Sequence, residues 1–197
     1  MQHLTPFRVG YVPGVMPGKW ERIWAERTRR PLDLVLTEVD DQLAHLREGG
    51  LDMCLARGEA DREIAKDEFH LIALYREQPV VVAGAEHPVA AYEEIDVAEL
   101  SEEYDVLAQN PGLEVRLAIE TVAAGTGIVI LPMSLARLHH RKDAVWLPVH
   151  GVEDFPVGLA WLKEPPSGLD EQAREQREEA IQLFIGIVRG RTANSSR

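Results

Sequence analysis

The chain has one cysteine in 197 residues, Cys54, so no intramolecular disulfide can form. It lies in "LDMCLARG" among apolar neighbours, where a buried structural thiol accounts for it better than a catalytic one. Long hydrophobic runs are missing too: none approaches the roughly 20 residues of a membrane span. The opening "MQHLTPFRVGYV" lacks the basic, apolar and small-residue succession of a secretory signal. A cytoplasmic protein with no membrane segment is therefore expected. Basic charge is scarce. With 21 Lys and Arg against 33 Asp and Glu, the formal net charge of −12 excludes a broad nucleic-acid-binding surface, which needs clustered cations to displace counterions.

Catalytic signatures are absent as well. The chain contains no Ser-His-Asp elbow, HExxH, Walker sequence or CxxC pair. His139 and His140 are adjacent, so on a helix they project about 100° apart and cannot easily share one ion. His3, His45, His70, His87 and His150 are scattered. No metal, cofactor or enzymatic activity is expected.

What is present is an ordinary folded composition, 45% hydrophobic and 27% charged. Its length allows one domain or two lobes of roughly 100 residues. "FRVGYVPG" reads as a strand from Phe7 to Val12 that runs into a loop, and "PGKWERIWAERTRR" as a helix with Pro17 in its first turn. "LDLVLTEV" is a second strand. Asp40 or Asp41 is placed to cap the helix "DDQLAHLREGG", which Gly49 and Gly50 stop, and "LDMCLARG" is a third strand with both faces covered. The β-α-β-α-β order pauses at "FHLIALYREQPVVVAGAEHPVA", two strands joined around Arg76 to Pro79, as it does where a chain crosses between lobes. A short helix, a strand at Tyr104 to Ala108, the helix "GLEVRLAIETVAAG" and the strand "IVILP" follow. "MSLARLHHRK" is a helix with Leu135 and Leu138 inward, "AVWLPV" and "VGLAWLKE" return the chain to the first lobe, and a long helix begins after "PPSG".

Two glycines in "AAGTGIVILP" invite a phosphate-cradle reading. A cradle needs a strand that leads through glycines into a helix N-terminus, where free N–H groups meet the anion. Here the order is helix, glycine, strand, so carbonyls face outward, and Gly125 and Gly127 read as a turn. The favourable polarity occurs instead in "YVPGVMPGKW", where the N–H groups of Gly14 to Gly18 are placed to face a small anion. Arg57 and Gly58, ending the third strand, belong to the same edge. Arg57 is suited either to an anionic ligand or to an acid in "EADRE". Gln109 and Asn110 offer amides, and Thr121 and Thr126 hydroxyls.

Four segments taken in order, "FRVGYVPGVMPG", "LREGGLDMCLARG", "REQPVVVAGAEHPVA" and "ETVAAGTGIVILPMSLARL", resemble the effector-binding domain of LysR-type transcriptional regulators. The resemblance implies an α/β, two-lobed fold of the periplasmic-binding-protein type 2 class. Residues 1–82 and 144–188 would form lobe I, 83–143 a shortened lobe II, and 189–197 a mobile basic tail. Either lobe II is reduced or residues are missing from the sequence. The function implied is a non-enzymatic ligand sensor in transcriptional regulation, with a small, often carboxylated effector lodged between the lobes. Carried over by position, the effector would meet Pro13, Gly14, Val15, Met16, Arg57, Gly58, Gln109, Asn110, Thr121 and Thr126. Relatives pair side by side, so a homodimer is expected, with helix 1 and its Trp20 and Trp24 as the dimer surface unless both indoles sit in the core. The winged helix-turn-helix that usually precedes this domain has no counterpart before the first strand, so direct DNA binding by that module is not expected of these residues. A solute-binding protein for uptake, or an enzyme on the same scaffold, are the alternatives.

Overall fold

The computed structural model describes residues 5–58 and 67–190. The stretch "EADREIAK" and the end of the basic tail, residues 191–197, lie outside the described residues. The chain divides into two compact units, one ending at Tyr75 and resuming at Pro156, the other running from Arg76 to Phe155.

Unit 1 begins with β1 (Phe7–Tyr11), α1 (Gly18–Arg27), β2 (Leu32–Leu36), α2 (Gln42–Arg47), β3 (Met53–Arg57) and β4 (Phe69–Glu77). It is completed by β9 (Phe155–Leu162) and α6 (Glu171–Val188). Its five strands take the order β2-β1-β3-β9-β4, with β1 parallel to β2 and β3, and β9 antiparallel to β3. One buried cluster packs Phe7, Val9, Met53, Leu55 and Leu159 with α1 and α6. A second, on alternate strand positions, packs Cys54, Phe69 and Ala160 with Leu43 and Leu46 of α2. This division follows from the strand period of two, which sends Cys54 and its neighbours Met53 and Leu55 to opposite faces.

The first cluster centres on aromatic rings. Phe7 stacks on Trp24 at 5.1 Å and 9°, and Phe184 meets Trp24 edge-on at 6.0 Å. Trp20 is 6% exposed and Trp24 1%, so both indoles belong to the core and neither supplies a dimer surface. Trp24 Nε1 donates to the Arg30 carbonyl at 2.7 Å, which gives the buried polar end of the indole a partner. At the N-terminus of α6 the Asp170 side chain accepts from Ala173 N–H at 2.8 Å. Asp41 stands at the corresponding place before α2, but its side chain makes no capping bond.

Unit 2 contains β5 (Pro79–Gly84), β6 (Ile95–Asp96), α3 (Val106–Gln109), α4 (Val115–Ala123), β7 (Ile128–Pro132), α5 (Met133–Leu138) and β8 (Ala144–His150). Its sheet has the order β6-β8-β5-β7. Here "AVWLPV" departs from expectation. As β8 it pairs antiparallel with β5 along Val80 to Gly84, so it stays in unit 2, and only β9 returns to unit 1. The unit boundaries accordingly fall at 76 and 155, outside the 83 and 143 read from sequence.

Tyr104 to Ala108 is not a strand. Asp105 makes a single bridge to Ile128, and its Oδ1 then accepts from Leu107 and Ala108 N–H at 3.0 and 3.1 Å, a side-chain cap that starts α3 at once. One turn, closed by Leu113 N–H on the Asn110 carbonyl at 3.1 Å, leads on to α4. Leu138, read as inward, is exposed because α5 buries Leu135 and Ala136 instead, and Leu117 of α4 is likewise exposed, since that helix buries Ala118, Ile119 and Val122.

Candidate functional site

In unit 1 the loop after β1 is built rigidly. Gly14 takes φ 87°, a left-handed conformation that side chains disfavour. Val15 N–H returns to the Val12 carbonyl at 3.1 Å, and the Val15 side chain enters the core. This leaves Met16 as the loop's outward apolar residue, 85% exposed. The loop is held from below by Arg57, whose Nη1 donates to the Pro13 carbonyl at 2.8 Å. Arg57 is 5% exposed, so its guanidinium acts here as a buried strut for the loop. The acids of "EADRE", offered as its other partner, fall outside the described residues.

Gln42 was not identified as a site residue from sequence. Its side-chain amide donates to the Arg57 carbonyl at 2.8 Å, and its Oε1 accepts from Arg57 N–H at 3.0 Å. The carboxamide thus does for Arg57 what another strand would do, at a point where β1 has ended. The available signal was a glutamine at the start of an apolar helix face, which is also what an ordinary solvated first turn looks like. Gly58 follows with φ 110° and donates its N–H to the Pro156 carbonyl.

In unit 2 the four polar candidates differ in what remains to them. The Asn110 side-chain nitrogen donates to Tyr104 Oη at 2.9 Å and to the Val106 carbonyl at 2.8 Å. Thr121 Oγ1 donates to the Leu117 carbonyl at 2.8 Å, one turn back in its own helix. Gln109 and Thr126 are exposed. Tyr104 gathers part of this set, since its carbonyl accepts from Ile128 N–H at 2.9 Å beside the Thr126–Gly127 turn. That turn has the polarity expected. Gly125 N–H returns to the Val122 carbonyl at 3.0 Å, and both Gly125 and Gly127 have positive φ, 96° and 63°.

A cavity of about 440 Å³ opens within unit 1 between α2 and the sheet. Arg57 and Gly58 line it together with Leu43, Leu71, Gly158 and Lys163, whereas Pro13 to Met16 do not. Among the described residues no group of His, Cys, Asp and Glu is arranged to hold a metal ion. No helix there is long and apolar enough to cross a membrane.

The sequence profile of the LysR substrate binding domain matches residues 25–120. That stretch, a little under half of the chain, is similar to the LysR substrate binding domain. It is 28% identical over 205 aligned residues to the HTH-type transcriptional regulator PcaQ of Agrobacterium fabrum, covering 93% of this chain and 65% of that protein. It therefore spans somewhat less than two thirds of this curated relative. Among solved structures, the reduced form of OxyR superposes with a TM-score of 0.66 at 23% identity over 100% of both chains. The BenM effector binding domain with its effector benzoate gives 0.65 at 19% identity, with 96% of each chain covered. The fold is thus the type 2 periplasmic-binding-like fold of those regulatory domains.

OxyR is also represented by an oxidised form. In the present domain the single thiol is fully buried, and desolvation pushes the Cys54 pKa up to about 12, so the reactive thiolate is scarce at neutral pH. A thiol reagent is expected to leave native Cys54 unmodified and to label it fully after denaturation. Rapid labelling of the folded protein would contradict this.

Proposed function

We propose that this domain is a non-enzymatic ligand sensor of LysR type that serves transcriptional regulation in the cytoplasm. The observation that carries the reading is the family match over residues 25–120. The likeness to a BenM domain whose effector is benzoate supports a small carboxylate as the ligand class.

The first loop contributes the effector contact in unit 1. Its shape is set before any ligand arrives, by the left-handed Gly14, the buried Val15 and the Arg57 strut under Pro13. Preorganisation of this kind lowers the entropic cost of binding. In unit 2 the proposal narrows to Gln109 and Thr126. The Asn110 amide and the Thr121 hydroxyl already bond within their own segment and would lose those bonds on turning to a ligand.

A thermal-shift screen against small organic acids tests this. A compound present at a hundred times its Kd stabilises the folded state by about 2.7 kcal/mol, which for a chain of this size raises Tm by roughly 5–10 °C. If no acid in a broad library moves the midpoint, the sensor reading fails.

We also propose that the domain pairs with itself through the β2 edge. β2 is an outer strand with Val35 and Leu36 exposed, and Val39 follows it equally exposed. An apolar, unpaired strand edge is a template for association. Sedimentation of Leu36→Lys is expected to give a monomer where the wild type gives a dimer. A monomeric wild type would remove the proposal.

A further inference from the structure

β3 runs on past the strand beside it. The register of β1 with β3 ends at Tyr11 against Leu55, and the chain then leaves the sheet as the first loop, so Arg57 has no strand on that side. On the other side Arg57 stands opposite Val157 of β9, and the next residue, Gly58, donates its N–H to the Pro156 carbonyl at 3.3 Å. Main-chain groups alternate in direction along a strand, so the N–H and C=O of Arg57 point away from β9. Gln42 meets both: its Nε2 donates to the Arg57 carbonyl at 2.8 Å and its Oε1 accepts from the Arg57 N–H at 3.0 Å. A carboxamide carries a donor and an acceptor on one carbon, which a carboxylate or a hydrocarbon tip does not. Gln42 is 1% exposed, and Leu43 and Leu46 of the same helix are packed in the second core cluster, so α2 delivers the amide to a fixed place.

The Arg57 side chain carries this fixation onward. Its Nη1 donates to the Pro13 carbonyl at 2.8 Å, and Pro13 leads directly into the left-handed Gly14 and the buried Val15. Two interactions in series, carboxamide to main chain and guanidinium to carbonyl, thus join the start of α2 to the first loop across 15 and then 44 positions of sequence. We propose that Gln42 is a positioning residue for the first loop: it sets the shape that the loop offers a ligand, acts through Arg57, and touches no ligand itself. Arg57 in turn serves the effector by holding Pro13. The inference rests on the reading of this loop as an effector contact, and it adds the residue that governs the contact from beneath.

Amide hydrogen exchange of the whole chain without ligand tests this, read as the ratio of the Val15 rate to that of Val9 in β1. Val15 N–H bonds the Val12 carbonyl at 3.1 Å within the loop, whereas Val9 lies between β2 and β3 in the sheet. Gln42→Met keeps the side-chain length and removes both amide groups. A buried hydrogen bond is worth about tenfold in the opening of what it holds, so the ratio is expected to rise at least about tenfold. Leu46→Ala, which weakens unit 1 but leaves the clasp, is expected to leave the ratio unchanged. Arg57→Met keeps the main-chain groups that Gln42 holds and removes the guanidinium. It should raise the ratio as Gln42→Met does, and the double variant should go no further. If Gln42→Met does not fold, Gln42→Glu, which keeps an acceptor for the Arg57 N–H and loses the donor, carries the same comparison. A ratio unmoved by the Gln42 variant, an equal rise in Leu46→Ala, or a further rise in the double variant would each overturn the proposal. Those outcomes leave the sensor reading to its own thermal-shift screen, in which an acid can raise Tm whatever Gln42 does.

Discussion

Replacing Asp52 by alanine is expected to lower the stability of unit 1 by roughly 3–5 kcal/mol, the range found when one partner of a buried ion pair is removed. Asp52 Oδ2 accepts from Arg8 N–H at 2.9 Å, and Oδ1 lies 3.4 Å from Arg177 Nε. The pair is largely dry, with Arg177 at 8% and Asp52 at 14% side-chain exposure. Arg177 Nε has no well-formed hydrogen bond, so the Asp52 charge is its principal compensation. Arg30 depends on the same charge: burial pulls its pKa down and Asp52 pulls it back.

Deleting the carboxylate therefore leaves a buried guanidinium uncompensated and a strand N–H without its acceptor. At roughly 2–4 °C per kcal/mol for a chain of this length, Tm should fall by about 6–20 °C. Asp52→Asn retains an oxygen acceptor for Arg8 but not the charge, and should lose less. Calorimetry of the two variants checks both statements, and a Tm within a degree or two of wild type for Asp52→Ala would show the pair to be dispensable.

The second large effect is expected at Gly127, and its contrast with Gly125 is the informative part. Both have positive φ, so either alanine meets backbone strain of about 1–2 kcal/mol. At Gly125 nothing lies within 4 Å of an added Cβ, and the cost should end there. At Gly127 the added Cβ would collide with the backbone carbonyl of Tyr104, the same carbonyl that accepts from Ile128 N–H. Neither side can yield without breaking the bond that seats β7 beside Asp105. Gly127→Ala should therefore cost roughly 3–5 kcal/mol, adding an overpacking penalty to the strain. Chemical denaturation of the two single variants decides it: equal losses would mean that close approach at Tyr104 does not matter.

These two sites also mark how far the residues can be read without coordinates. The helix-to-strand turn at Gly125 and Gly127 was legible, because a helix C-terminus followed by glycine is a local event with a local cause. Thr121 could have been demoted on similar grounds, since a threonine inside a helix commonly bonds to the carbonyl four residues back. Nothing local announces that Gly127 faces Tyr104, or that Asp52 serves arginines at positions 8, 30 and 177. The same limit applies to Arg57. A cation at a strand end was visible, but its bond to Pro13, forty-four positions away, and its clasp by Gln42 were not. A buried strut and a ligand-binding arginine look alike until the fold brings the carbonyl within reach.

The sequence by itself determined the order of strands and helices in unit 1, the burial of Cys54, the turn glycines and the family resemblance, since periodicity, chain punctuation and segment order are properties of neighbours along the chain. Only the tertiary structure decided that β8 belongs with β5, that Trp20 and Trp24 face inward, and that Tyr104 to Ala108 is capped into a helix and not drawn out as a strand. A β-strand carries no mark of its partner. Its hydrogen bonds are satisfied by whichever edge the rest of the chain delivers, and an amphipathic helix records that one face is buried without recording against what.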